Sequence, residues 1–185
     1  MVSKSLYFTA IIPPDPLKNH IQELKFHIAK NYTTRKSLNS PPHITLIPPF
    51  QLAIHDEIQI MNQLEKFAKT VHTFMITIDG FGSFKPNVIY LKVETSESLK
   101  QLHKQIYETF PTDDKPKEKA KSFSPHVTLA FRDLSPPMFQ KAWKYYASKP
   151  FRASFDAENI CLLKHNGKSW DILAAFPFVS NQLPG

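Results

Sequence analysis

The chain has 185 residues, a formal net charge of +7 and one cysteine, so it can bury a sizeable core but cannot form an intramolecular disulfide or a cysteine-based zinc site. No apolar run approaches the ~20 residues of a membrane span, and the four glycines form no glycine-rich phosphate loop. We therefore expect a soluble, cytoplasmic, monomeric protein whose basic surface attracts polyanions.

Hydrophobic periodicity predicts a first structural unit over about residues 5–84. Residues 6–12 alternate in polarity as a strand does, and Asp15-Pro16 marks the start of a helix with apolar residues every three or four positions. A polar loop with Arg35 and Lys36 leads to a strand that begins with "PPHITL". A second amphipathic helix and the strand "FMITIDGFGSF" complete this unit.

The same order of elements recurs over about residues 87–166. The strand "NVIYLKVE" is followed by a helix, a lysine-rich loop, a strand with "SPHVTL", a fourth helix that Ser135 opens, and a strand from Phe151 onward. A closing hairpin to residue 178 contains Asn166-Gly167, a pair typical of a type I′ turn. This duplication predicts an α+β fold, residues 1–185 forming one domain of two pseudo-symmetric lobes. Each lobe is an antiparallel sheet backed by helices, and a cleft lies between them.

The motif Pro-His-aliphatic-Thr-Leu occurs once in each unit, at His43 and at His126. Side chains two residues apart share one face of a strand, so His43 and Thr45 are expected on one face, as are His126 and Thr128. Packing accounts for the aliphatic positions but gives no reason to keep histidine and threonine in both copies.

An imidazole and a hydroxyl at this spacing can contact one phosphate together. Two histidines can supply the base and the acid for displacement at phosphorus near neutral pH, without a metal or another cofactor. The same alternation places Ala130 and Arg132 on the His126 face, where the guanidinium could neutralise phosphate.

The two motifs resemble the paired His-x-Thr motifs of the 2H phosphoesterase superfamily, which includes 2′-5′ RNA ligase-like proteins and 2′,3′-cyclic nucleotide phosphodiesterases. The likeness covers nearly the whole chain, and Phe84 and Phe123 fall where the family has aromatic residues. It implies the two-lobed α+β fold, His126 as base with His43 as acid, and phosphate-binding roles for Thr45 and Thr128. Many members that act on RNA ends have arginine where this chain has Phe131, with Arg132 one residue later.

The resemblance and the residues together predict a metal-independent phosphodiesterase that opens 2′,3′-cyclic phosphates of nucleotides or RNA ends to 2′-phosphates. The alternatives are a 2′-5′ RNA ligase, a phosphoesterase for a small metabolite, and a protein that binds RNA ends without turnover. Tyr90 and Phe123 could stack on a base or pack in the core, and both basic loops could contact polynucleotide or be solvated. The remaining histidines are expected at surface, boundary or turn positions.

Overall fold

The computed structural model describes residues 3–109 and 123–181, which contain eight strands and four helices. The strands are β1 (Lys4–Ile11), β2 (Ile44–Ala53), β3 (Phe74–Phe84), β4 (Val88–Val93), β5 (His126–Ala130), β6 (Arg152–Ala157), β7 (Asn159–His165) and β8 (Trp170–Pro177). The helices are α1 (Leu17–Tyr32), α2 (Glu57–Ala68), α3 (Glu97–Thr109) and α4 (Pro136–Tyr146). Short 3-10 turns at Lys36–Asn39 and Ile54–Asp56 flank β2.

All eight strands belong to one curled antiparallel sheet with the order β6-β3-β4-β5-β2-β1-β7-β8. The two motif strands are neighbours at its centre, where β2 and β5 meet through one register pair, Ile44 with Val127. The predicted α+β fold of helices and antiparallel sheet is confirmed, but one continuous sheet replaces the two separate sheets. The cleft accordingly lies on one face of this sheet.

The four-stranded halves of the sheet do not coincide with the two sequence units. β3 ends the first unit but pairs with β4 and β6 of the second, whereas β7 of the second unit pairs with β1 of the first. A short turn at residues 85–87 joins β3 directly to β4, and antiparallel strands joined by a short turn pair with each other. Each unit therefore gives one strand to the other half.

The helices cover the face of the sheet that carries the aliphatic residues. α1 packs against β5 and α3 against β2, so each helix covers the motif strand of the other unit, while α2 contacts β7 and β8. α4 contacts α1 and β4. One large apolar cluster fills the space between helices and sheet, which leaves the opposite face of β2 and β5 for the site. No helix within residues 3–109 and 123–181 is long and apolar enough to cross a membrane.

The closing hairpin joins β7 to β8, but the type I′ turn predicted at Asn166-Gly167 is wrong. That turn needs a positive φ at both central residues, and here Gly167 has a φ of 96° whereas Asn166 has no positive φ. Residues 166–169 connect the strands instead. The Oδ1 of Asn166 accepts hydrogen bonds from the backbone N–H groups of Lys168 and Ser169, so the side chain takes over part of the turn's hydrogen bonding.

Candidate active site

The two motifs alternate between core and cleft as the sequence predicts. Ile44 and Val127 are fully buried at the centre of the sheet, whereas His43 and His126 are only partly buried. His43 immediately precedes β2, and His126 is the first residue of β5. Because β2 and β5 are antiparallel neighbours, the two histidines and the two threonines occupy the same face on either side of the central pairing.

Each histidine is held in the same way by a carbonyl two residues earlier in the chain. The Nδ1 of His43 lies 2.7 Å from the carbonyl oxygen of Pro41, and the Nδ1 of His126 lies 2.8 Å from that of Ser124. A carbonyl can only accept, so in both rings Nδ1 carries the hydrogen and donates it. The neutral rings thus keep the lone pair on Nε2, and within the described residues no hydrogen bond engages either Nε2 atom.

Burial favours the neutral form of both histidines. It lowers the pKa of His43 from 6.5 to about 4; the hydrogen bond to Pro41 acts in the opposite direction, and the charges of Lys25 and His126 lower it further. Burial also lowers the pKa of His126, against the effect of the bond to Ser124. An anionic phosphate beside an imidazole stabilises the imidazolium. The substrate itself can therefore bring one of the two rings into its protonated form.

A cleft of about 560 Å³ contains both motifs. Its lining includes His43, Thr45, His126 and Thr128, so the four residues that the motifs predict as functional share one site. Among the described residues no hydrogen bond engages the hydroxyl of Thr45 or Thr128, and both remain available to a ligand. The volume lies within the range typical of small-molecule sites.

Aromatic side chains form the wall beside His43. The Phe8 ring lies 4.8 Å from that of His43, and Trp170 packs edge-on against Phe8 at 4.7 Å. His165 in turn lies 4.9 Å from Trp170, and all three residues line the cleft. Cys161 is buried in a small apolar cluster with Phe8, against which Trp170 also packs.

A second aromatic group supports His126. The rings of Tyr90 and Phe84 lie 5.0 Å and 5.3 Å from the His126 ring and 4.5 Å from each other. Tyr90 is paired with Thr128 across the sheet, but Phe84 is the member of this group that lines the cleft. Both histidines are thus packed laterally by aromatic rings, which restricts their side-chain rotation.

The regular alternation of β5 ends after Thr128. The consecutive residues Tyr90 and Ile89 of β4 pair with Thr128 and Ala130, so Leu129 is an extra residue in a β-bulge. Ala130 is therefore turned from the His126 face, where the period of two predicted it, and is fully buried.

Beyond the bulge, Phe131 and Arg132 both line the cleft. The backbone of Arg132 has a φ of 61°, in the left-handed region that ends a strand, and its guanidinium carbon lies 5.2 Å from the centroid of the Phe131 ring. The bulge and this turn, and not a continued alternation, determine the place of Arg132.

The loop before His43 is clamped to the turn after β5 by Asp133. Its carboxylate accepts a hydrogen bond of 2.6 Å from the Thr34 hydroxyl and bonds of 2.7 Å and 3.1 Å from the backbone N–H groups of Arg35 and Lys36. The side chains of Arg35 and Lys36 remain exposed. This clamp ties the loop that leads into β2 to the turn that follows β5.

A model of the 2′-5′ RNA ligase superfamily matches residues 13–169, which include both motifs and most of the cleft. The chain belongs to this superfamily of 2H phosphoesterases. A protein of Geobacillus sp. (strain WCH70) is 29% identical over 174 residues, which are 92% of this chain and 94% of that relative. A protein of Bacillus licheniformis is 39% identical over 109 residues, but these span only 62% of its length and 56% of this chain. The names of both describe candidate phosphoesterases.

Solved structures share the fold of this 2H phosphoesterase. A protein of Thermus thermophilus superposes with a TM-score of 0.63 at 18% identity, covering 96% of this chain and 100% of that protein. LigT of Escherichia coli, crystallised with 3′-AMP, gives a TM-score of 0.61 at 18% identity, covering 96% of this chain and 99% of LigT. Other LigT crystals contain ATP, NADP+ or phosphate.

Of the two aromatic residues predicted to stack on a base, Phe123 stacks on His103 at 3.8 Å and packs against the core of this 2H phosphoesterase. Tyr90 pairs with Thr128 across the sheet and packs beside Phe84 and His126, and its contact with substrate stays a prediction. His103 is itself 6% exposed, so its expected surface or boundary position is wrong. The lysines of the loop before His126 fall in residues 110–122, outside the described residues.

Sequence reasoning missed the wall formed by Phe8, His165 and Trp170. Phe8 has the period-2 position of an outward residue in the first strand, so strand alternation could have placed it on the motif face. His165 and Trp170 could have been found only by knowing that β7 pairs with β1, a long-range pairing that no local pattern encodes.

Proposed function

We propose that the protein is a phosphodiesterase that opens 2′,3′-cyclic phosphates of nucleotides or RNA ends to 2′-phosphates by two-histidine acid–base catalysis. The observation that carries this proposal is that His43 and His126 have equivalent surroundings. Each donates through Nδ1 to a nearby carbonyl, keeps Nε2 free and has a threonine hydroxyl two residues along the strand in the same cleft.

In the proposed reaction water attacks phosphorus from the side opposite the 3′-oxygen. The Nε2 of one histidine takes a proton from the water as the new P–O bond forms, and the other, protonated histidine gives its proton to the 3′-oxygen as the P–O3′ bond breaks. Thr45 and Thr128 donate hydrogen bonds to the nonbridging oxygens, and Arg132 balances their charge. The product has a 2′-phosphate and a 3′-hydroxyl, and the two histidines have exchanged their protonation states.

The net charge of the chain and the aromatic lining of the cleft support a nucleotide as substrate. The net charge of +7 favours polyanions, and crystals of LigT, which shares the fold, contain 3′-AMP or ATP. We assign the base to Trp170, because aromatic faces stack on any nucleobase, whereas Phe8 is only 3% exposed and packs between Trp170 and His43. This assignment replaces Phe123 as a stacking residue.

The test is turnover of the four nucleoside 2′,3′-cyclic phosphates and of a short RNA with a cyclic end, in excess EDTA. His43→Ala and His126→Ala should each lose about 10²- to 10⁴-fold in kcat, the range typical of a general acid or base. His55→Ala removes an exposed histidine and should retain wild-type activity. The product should be a 2′-phosphate, distinguishable from the 3′ isomer by chromatography.

Ligation is the second candidate, because the matching family model is that of the 2′-5′ RNA ligase superfamily. In ligation a 5′-hydroxyl would take the place of the water, so that its oxygen bonds to phosphorus, the P–O3′ bond breaks and a 2′-5′ linkage with a free 3′-hydroxyl results. Incubation of an RNA with a 2′,3′-cyclic end and a second RNA with a 5′-hydroxyl would detect the joined product. Tight, salt-sensitive binding of RNA ends by folded protein with no product would instead indicate a binding protein. Turnover of mononucleotides without competition from oligonucleotides would favour a small metabolite as substrate.

A further inference from the structure

A side pocket of about 310 Å³ continues the cleft at its aromatic end. It shares His165 and Leu6 with the cleft, and the other residues that line it are Lys4, Ser5, Gln51 and Gly167. Alternation along β1 places Lys4 and Leu6 on the same face as Phe8, and Leu6 is paired with Gln51 of β2. The side pocket and the catalytic cleft therefore lie side by side on one face of the sheet.

His165 differs from the two catalytic histidines in its hydrogen bonding. The backbone N–H of Gly167 donates a hydrogen bond of 3.2 Å to the Nδ1 of His165, so the hydrogen of the neutral ring is on Nε2. In His43 and His126 that hydrogen is on Nδ1 instead. A ring of the His165 tautomer cannot take a proton at Nε2, but it can donate a hydrogen bond from this atom. His165 is therefore suited to bind an oxygen atom of the substrate and not to act as a base.

The side pocket is also positively charged. Lys4 is exposed at the start of β1, and within residues 3–109 and 123–181 its ammonium forms no ion pair. Among the described residues, no aspartate or glutamate lines the side pocket or the cleft. The carboxylate of Asp171, on the strand after the turn, accepts a hydrogen bond of 2.7 Å from Asn166. An unpaired ammonium beside an imidazole N–H donor favours a phosphate as the ligand of the side pocket.

We propose that the side pocket binds the phosphate on the 5′-oxygen of the terminal nucleotide, and that the substrate is therefore an RNA end and not a free nucleoside cyclic phosphate. An RNA with a 2′,3′-cyclic end continues only through this 5′-oxygen, because the cyclic phosphate occupies the other two. His165 is the cross-strand partner of Trp170, so a nucleotide whose base stacks on Trp170 lies beside the side pocket. Lys4 and Gln51 are exposed, which leaves the outer end open to the preceding nucleotides. The inference rests on the proposed function.

Binding of two stable nucleotides tests the side pocket without turnover. Adenosine 2′,5′-bisphosphate should bind at least ~10-fold more tightly than adenosine 2′-phosphate in calorimetry, as expected for one added charge-assisted hydrogen bond. It should also shift the Gly167 amide signal in NMR spectra. Lys4→Met removes the charge at similar length and should remove most of the difference in affinity. Lys168→Met removes an exposed lysine of the adjacent turn that does not line the side pocket, and it should keep the difference. Equal affinities in the wild type, or an equal loss in both variants, would overturn the proposal.

Turnover identifies the source of the phosphate. The substrates are adenosine 2′,3′-cyclic phosphate, the same molecule with a 5′-phosphate, and the adenosine dinucleotide with a 2′,3′-cyclic end. The dinucleotide should exceed the first substrate about tenfold in kcat/KM, and His165→Phe, which keeps a ring beside Trp170 but has no N–H, should reduce this ratio. A gain with the 5′-phosphate but not with the dinucleotide would overturn the assignment to RNA ends, and equal kcat/KM for all three would overturn the side pocket. If the wild type opened none of them, the proposed function would fail, whereas the binding experiment would still decide whether the side pocket takes a 5′-phosphate.

Discussion

Gly82→Ala should disturb the catalytic site from the neighbouring strand. Gly82 pairs with Tyr90, and a Cβ at this position would lie 2.4 Å from Cε2, 2.5 Å from Cζ and 2.8 Å from the hydroxyl oxygen of Tyr90. Ordinary contacts begin at 3.4 Å, so the ring must move by about 1 Å. Phe84 and His126 lie at 4.5 Å and 5.0 Å from it. We expect a loss of ~1–3 kcal/mol in the free energy of unfolding from overpacking.

Displacement of the Tyr90 ring toward His126 should also lower kcat, because a misplacement of about 1 Å in a catalytic site can cost ~10²-fold. The assays are urea unfolding and initial rates on a nucleoside 2′,3′-cyclic phosphate. Gly82→Ala combined with Tyr90→Val removes the clash and should be more stable than Gly82→Ala alone. Wild-type stability and kcat in Gly82→Ala would refute the idea that Tyr90 holds His126 in place.

Three further predictions concern pH, the loop clamp and substrate binding. Burial lowers the pKa of His43 from 6.5 to about 4, so between these pH values the unfolded chain binds a proton that the folded chain does not. The free energy of unfolding should therefore fall as the pH drops from 6.5 to about 4. In urea titrations, His43→Ala should remove up to about 3 kcal/mol of this pH dependence. Asp133→Ala removes three hydrogen bonds, two of them exposed to solvent, and should cost ~1–2 kcal/mol in the same assay. An unchanged midpoint would contradict the clamp. Trp170→Ala should raise KM about tenfold with little change in kcat, whereas Trp170→Phe should keep most of the affinity; equal KM values for all three proteins would exclude stacking.

The sequence was sufficient for the features that depend on local periodicity and on the repeat. Alternation placed Ile44 and Val127 in the core with His43 and His126 on the opposite side, because a strand with one buried face must keep that register. The recurrence of the motif indicated that the two strands belong together, and the sheet brings them side by side.

The features that were missed depend on pairings between distant segments or on breaks in periodicity. The bulge at Leu129 buries Ala130, and no residue type in "HVTLAF" marks where an extra residue is inserted. From the sequence, Lys25 is an ordinary polar residue of an amphipathic helix. Its burial results from the packing of α1 against β5, which the sequence pattern does not predict. β3 pairs with strands of the second unit and β7 with a strand of the first unit. These pairings depend on contacts between distant segments, which a local sequence pattern does not encode.

The exchange of β3 and β7 between the two halves of the sheet bears on the origin of the chain. A single ancestral unit ending after β3 would have had a last strand that pairs with neither β1 nor β2 of its own copy, as in the described sheet. Two copies could satisfy each other by swapping that strand, which is a low-cost route to a symmetric dimer. The present molecule has the architecture of such a dimer with its subunits fused into one gene. Once the two copies are fused, their sequences can differ. One copy then buries Lys25 in its first helix and the other buries His103, whereas the two subunits of a homodimer must have the same residue at each position.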